Sequence, residues 1–274
     1  MKELCVFLLI GLASMAAAPP AKIVLVAGKP SHGPGDHEHN AGILLMEKWL
    51  RQNKGVETVV VKNNWPSDES VFDGARSVVF YMDGGGGNPL IQGSRLETLG
   101  NLMNKGVGLV CLHYAVEVPK DKGGPELLDW IGGFYERPYS QNPINDVDVN
   151  QASPQHSISR GWKSFHAKDE FYYKIRFREG DKRLVPILTV MLPKDAPNRE
   201  VIAWAVERTD GGRGFGFTGG HFHTNWSMPE MRQIMTNAIL WTAKVNIPKN
   251  GAKCELGPDD LKQNLDDKPQ RKKK

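Results

Sequence analysis

GVGLVCLHYAVE, residues 106–117, decides the fold. From Val107 to Leu112 no polar side chain interrupts the run, and it stops at His113. A run that short and continuous is a strand buried on both faces, as in a parallel sheet covered by helices on both sides. A strand that turns sharply at its end holds one side chain up at the sheet edge. Here that side chain is His113, with Glu117 close enough to orient it or pair with it. Open α/β sheets bind ligands outside the carboxyl ends of their strands, so a histidine there is a candidate functional group.

The same pattern repeats on either side. Residues 22–27 (KIVLVA) form a first strand, followed by a loop rich in glycine, proline and histidine. Residues 40–52 read as a helix, with Ile43, Leu44, Met46 and Leu50 at helical spacing. Strands follow at 57–62 and 77–82, the latter ending in Asp83 and four glycines. A helix over 94–105 precedes the fourth strand, and a short one over 125–131 follows it. This β-α alternation predicts a doubly wound, mostly parallel, flavodoxin-like sheet, with right-handed crossovers bringing the strand ends to one edge. The second half reads as an irregular, β-rich insertion. Its strands fall at 145–150, 170–177 (EFYYKIRF), 184–192, 201–207 and 215–218, hairpins among them, before a helix at 229–245.

The ends differ in character. In residues 1–18, Lys2 precedes a short apolar core and Ala16-Ala17-Ala18, the pattern of a cleaved signal peptide. The apolar core is too short to span a bilayer. The expectation is a secreted or periplasmic protein with no stable membrane span after cleavage, its domain covering 19–248. Residues 249–274 are polar and charged and are expected to lack a packed core. The net charge of +4 lacks an aromatic-interleaved basic stripe, which argues against nucleic acid. The Asp83-glycine loop lacks the Gly-Lys-Ser/Thr ending of a P-loop, and no nucleotide cofactor is expected. Cys111 and Cys254 cannot make a disulfide scaffold, and Cys111 reads as a buried small residue.

The chemistry concentrates in the histidines, eight in all. His32, His37 and His39 lie in the loop after the first strand. Three imidazoles and two carboxylates within eight residues suit a divalent transition metal, a sugar or an anion. His32 and His37 are taken as metal ligands, and His39, which shares a helical face with Ile43 and Met46, as a substrate contact. His221 and His223 close GRGFGFTGGHFH, residues 212–223, whose glycines permit close backbone approach. His221 is taken as a third ligand and His223 as a substrate contact, beside Asp83 and Gly84. Of the adjacent Asp169 and Glu170, only one can face a site from a strand, and Glu170 is favoured. His113, Glu117 and Glu170 form the catalytic set.

These segments resemble the ThuA-like (trehalose utilisation) family. The resemblance runs from about residue 22 to 247. It rests on His32 to His37, on GLVCLHYA (108–115), on HSISRG (156–161), on DEFY (169–172), and on Gly214 to His221 before the last helix. It implies the layering of class I glutamine amidotransferases, which use a cysteine at the elbow and a histidine after a late strand. Here His113 stands near the elbow and Cys111 lies two residues early, so an amidotransferase mechanism does not carry over. The resemblance implies action on a carbohydrate, a keto-sugar or keto-glycoside, with a bound metal such as zinc. A histidine or carboxylate would abstract a proton beside the keto group, and elimination or hydrolysis would follow. A non-catalytic sugar- or metal-binding protein on the same fold is the alternative.

Overall fold

The computed structural model describes residues 19–269. Its first half is built from β1 (Ala21–Ala27), α1 (His39–Leu50), β2 (Val56–Val61), β3 (Ala75–Tyr81), α2 (Arg95–Asn104) and β4 (Gly108–Leu112). The short α3 (Gly124–Trp130) and β5 (Gly133–Phe134) follow. The second half comprises β6 (Asn145–Gln151), β7 (Phe165–Asp169), β8 (Arg176–Phe177), β9 (Leu184–Leu192), β10 (Asn198–Glu207), β11 (Arg213–Phe217) and α4 (Pro229–Thr242). Nine strands make one sheet in the order β2-β1-β3-β4-β11-β10-β9-β6-β7, while β5 and β8 pair separately.

The parallel part, β2-β1-β3-β4-β11, has the flavodoxin order, with its switch point between β1 and β3. In β1, Ile23 and Leu25 enter the apolar cluster under α1 and α4, while Val24 and Val26 enter the cluster under α2. Burial on both faces is the reason this strand is apolar without interruption. From β11 outward the pairing is antiparallel: β11 with β10, β10 with β9, β9 with β6, β6 with β7. Four reversals return β7 to the direction of β11, so its carboxyl end reaches the same edge. The β6–β7 hairpin joins the ladder of β9 through Asn150 and Gln151.

Two sequence expectations need correction. EFYYKIRF is not one strand: β7 ends at Asp169, and Phe171, Tyr172 and Tyr173 are buried in succession with no ladder. Tyr173 makes only an isolated bridge to Gln141, and Lys174, with φ of 53°, ends the segment. The strand before it, FHAKD, was hidden by its polar outward residues.

The second correction is the tail. Up to residue 269 it packs along the domain, with Ala252 in the core and Asn53 and Gln52 bonded to its backbone. Lys268 is buried; its Nζ donates to the carbonyls of Asp36 at 2.5 Å and His37 at 3.1 Å and pairs with Glu38 at 3.2 Å. The proposed signal segment and residues 270–274 lie outside the described residues. Among the described residues, no helix is long and apolar enough to cross a membrane.

Candidate metal centre

Every parallel strand but β2 sends a side chain to this edge. β4 ends at Leu112, and His113 follows in the left-handed region with φ of 52°. His37, in the loop after β1, has φ of 46°, and His32 has φ of 60°. Such backbone is rare for residues with a Cβ and costs about 1–3 kcal/mol each, so the surroundings must hold it. They do. The His37 N–H donates to the His221 carbonyl at 2.9 Å, and the His223 N–H donates to Gly35 O at 2.9 Å. The loop after β1 is thereby stitched to the loop after β11. From β7, the buried Asp169 carboxylate accepts the N–H groups of Gly220 at 2.7 Å and His221 at 3.1 Å.

Four side chains converge. His37 Nε2 lies 3.0 Å from His113 Nε2 and 3.0 Å from His221 Nδ1. Glu170 Oε2 lies 3.3 Å from His221 Nδ1 and 3.5 Å from His113 Nε2. His37, His113 and His221 are buried; Glu170 is partly open. Tyr172 donates its hydroxyl to His113 Nε2 at 3.2 Å, and Asn142 Nδ2 donates to Glu170 Oε1 at 3.3 Å.

Hydrogen-bond accounting shows what this cluster lacks. His113 Nδ1 sits 2.7 Å from the Thr218 carbonyl, which only accepts, so Nδ1 carries the proton and Nε2 is an acceptor, met by the Tyr172 hydroxyl. His37 Nδ1 sits 3.2 Å from Asp83 Oδ1 and, by the same reasoning, its Nε2 is an acceptor, with His221 Nδ1 at 3.0 Å as the nitrogen that can donate to it. With neutral imidazoles, these two acceptor nitrogens still face each other at 3.0 Å with no proton between them. Burial, reinforced by the neighbouring imidazoles, holds both His37 and His113 well below the ordinary histidine range, against the imidazolium that would relieve the contact. Burial also weighs on His221, but the Glu170 carboxylate, with Asp36 and Asp169, lifts it above its ordinary value.

A cation satisfies all four groups at once. Zinc–ligand bonds of about 2.0–2.1 Å place tetrahedral donors about 3.3 Å apart. The four contacts at 3.0, 3.0, 3.3 and 3.5 Å bracket that edge. Three imidazoles with one carboxylate are donors suited to a divalent transition metal. The bond from His37 Nδ1 to Asp83 and that from His113 Nδ1 to Thr218 O supply the outer contacts that orient metal-bound histidines.

The residues singled out in the sequence divide accordingly. His37, His113, His221 and Glu170 meet. His32 does not join them; its ring packs on His37 at 3.7 Å between centroids, and its Nδ1 faces Asp83 at 3.9 Å. Glu117 does not orient His113, because Thr218 O does; it pairs with Arg137 at 2.9 Å, and burial raises its carboxyl despite that guanidinium. Asp83 is half-buried and holds Ser31 and His37. Gly84 is a packing glycine: a Cβ would lie 2.1 Å from Tyr114 O. His39 and His223 are corrected as direct substrate contacts. Both are buried, His39 beneath the loop with Nδ1 on Lys29 O at 3.0 Å, His223 beneath the tail with Nε2 on Leu261 O at 3.2 Å.

Sequence reasoning passed over Asp169 and Tyr172. The rule that one of two adjacent carboxylates faces a site fails here because β7 stops at Asp169, leaving Glu170 off the strand.

Sheet order and site together define an α/β domain of flavodoxin layering with a histidine-rich centre at its carboxyl edge. The model of the family described as ThuA, trehalose utilisation, matches residues 23–242, and the chain belongs to that family. Solved structures show the same fold. A putative ThuA-like protein from Bacteroides uniformis superposes with a TM-score of 0.63 at 16% identity, covering 85% of this chain and 95% of that one. One from Parabacteroides merdae gives 0.59 at 16% identity, covering 88% and 99%. Agd3, described as a carbohydrate deacetylase, gives 0.52 at 13% identity, covering 82% of this chain but 32% of its own. No curated protein matches significantly.

Proposed function

We propose that this chain is a metal-dependent enzyme acting on carbohydrates, with His37, His113, His221 and Glu170 as the ligand set. The carrying observation is the pair of acceptor imidazole nitrogens that face each other at 3.0 Å with no proton between them, beside His221 and Glu170. Membership of a family described by trehalose utilisation supports a sugar substrate. A divalent metal bound there would polarise an oxygen of the sugar. The approach runs past the more open groups, His32, Asp83, Asp36 and Glu170.

On a keto-sugar, the hydrogen beside the carbonyl is acidic enough for a positioned base to remove. His113 is fully buried, and its Nδ1 is committed to Thr218 O, so it serves as ligand rather than base. Glu170, the one partly open member of the ligand set, takes the base role through Oε1, the oxygen not held at the cluster. Asn142 fixes one of its oxygens, and the other lies at the cluster on the partly open side. Proton return to a leaving oxygen would come from the same carboxyl. Export of the protein, suggested by residues 1–18, belongs to this reading.

The test is turnover of a panel of keto-glycosides and, given the activity named for Agd3, acetylated sugars. Glu170→Gln should lower kcat by about 10²–10⁴-fold, the usual contribution of a positioned acid or base, while the protein stays folded. Saturable sugar binding with no product from any member of the panel would instead favour a non-catalytic binding protein.

A further inference from the structure

The tail lies against the two loops that carry His37 and His221. Lys268 Nζ donates to the carbonyls of Asp36 at 2.5 Å and His37 at 3.1 Å. Those carbonyls belong to the peptide planes on either side of His37, so one ammonium restrains both backbone dihedrals of that residue. With φ of 46°, His37 is a residue that needs such support. Glu38 ties the tail down further. Its Oε2 accepts the Asp266 N–H at 2.8 Å, and its Oε1 accepts the Gly35 N–H at 2.8 Å beside Lys268 at 3.2 Å. Asn40 Nδ2 donates to Asp266 Oδ1 at 2.7 Å. On the other loop, just past His221, His223 Nε2 donates to the Leu261 carbonyl at 3.2 Å. Lys48 of α1 anchors the same stretch of tail through the buried Asp260 at 2.6 Å.

A buried ammonium is a poor source of net stability, because desolvation offsets most of its attraction. It is an effective way to fix geometry. The three N–H groups of Lys268 meet three acceptors, two carbonyls and the Glu38 carboxylate, all in the loop that presents His37. We infer that residues 249–268 form a positioning strap for the metal centre, coupling the docking of the tail to metal binding. Lys268 is the positioning residue for His37, and His223 links the strap to the loop of His221. Both act through the backbone that presents a ligand. The inference rests on the metal site proposed above and adds this coupling to it. A docked strap that favours the metal-binding geometry must itself be favoured by bound metal, by the same factor.

The test is titration of the metal-stripped full chain with Co(II), followed by the visible absorption of the bound ion. Lys268→Met should bind cobalt about 10–100-fold more weakly than the wild type, the usual effect of losing a group that orients a ligand. Lys268→Met/Glu38→Gln should regain part of the stability lost in urea but not the affinity, because the carbonyls of Asp36 and His37 stay unheld. The wild type supplies a readout that no substitution can confound. Saturating zinc should slow amide hydrogen exchange over residues 258–268 and leave α2, which packs on the other face of the sheet, unchanged. Wild-type cobalt affinity in Lys268→Met overturns the strap and leaves the metal centre. So does affinity that recovers in step with stability in the double variant, or exchange over 258–268 that zinc does not alter. No bound cobalt in the wild type removes the metal centre and the strap's role with it.

Discussion

Three histidines at this site occupy left-handed backbone that their own chemistry disfavours. A cost of about 1–3 kcal/mol each is sustained only by surrounding bonds, and Asp169 makes two of them. Its carboxylate is buried, and burial raises it, while the N–H groups of Gly220 and Glu170 pull the other way. Asp169→Asn would set an amide against two donors and should cost about 1–3 kcal/mol in urea unfolding, with weaker metal binding. Equal stability of variant and wild type would remove Asp169 from the account. At this scale the sequence was partly legible. Histidines at strand ends announced themselves, because an apolar run ending in a titratable group has few structural uses. Which nitrogen faces which carbonyl was not legible, since Thr218 and His113 stand far apart in the chain and meet only when β4 and β11 pair.

Elements explain how so polar a cluster is kept in place. The tail acts as a strap through Lys268, whose ammonium is buried between Glu38 and the carbonyls of Asp36 and His37. Removing one partner of a buried pair leaves the other uncompensated, at about 3–5 kcal/mol. Lys268→Met should show that loss in chemical denaturation, and adding Glu38→Gln should recover part of it. No recovery in the double variant would mean the ion pair is not the strap's main contact.

A second element-scale prediction concerns His156, which caps the turn at Ser157–Ser159 by accepting the Ile158 N–H and packs on Trp241 of α4. Burial holds it down to about 4 from an ordinary 6.5. The folded value lies below the unfolded one, so its contribution is whole above about pH 6.5 and is lost as pH falls toward 4. His156→Asn, which can still cap, should flatten the loss of stability across that window; an unchanged slope would contradict the assignment. The strap escaped the sequence reading because a polar segment with little apolar surface looks unpacked. It is held by hydrogen bonds, by the buried Lys268 and Asp260, and by a few scattered apolar side chains, Ala252 among them, rather than by a periodic apolar face.

For the whole molecule, the parallel half was legible because strands buried on both faces leave an unbroken apolar record. The antiparallel half was blurred: its strands alternate weakly, and the buried Phe171-Tyr172-Tyr173 imitated a strand. Yet this half delivers Glu170, the fourth member of the cluster, from the chain that follows the end of β7 at Asp169. A ligand that binds only the folded chain at a hundred times its Kd adds about 2.7 kcal/mol. Saturating zinc should therefore raise the thermal midpoint by about 5–10 °C in the wild type. The His113→Ala/His221→Ala variant should show a smaller rise.

The most direct measurement is anomalous diffraction at the zinc edge from crystals of the zinc-soaked protein. A peak is expected within bonding distance of His37 Nε2, His113 Nε2, His221 Nδ1 and Glu170 Oε2 together. A peak bound through other atoms, or none among these four at full zinc, would contradict it.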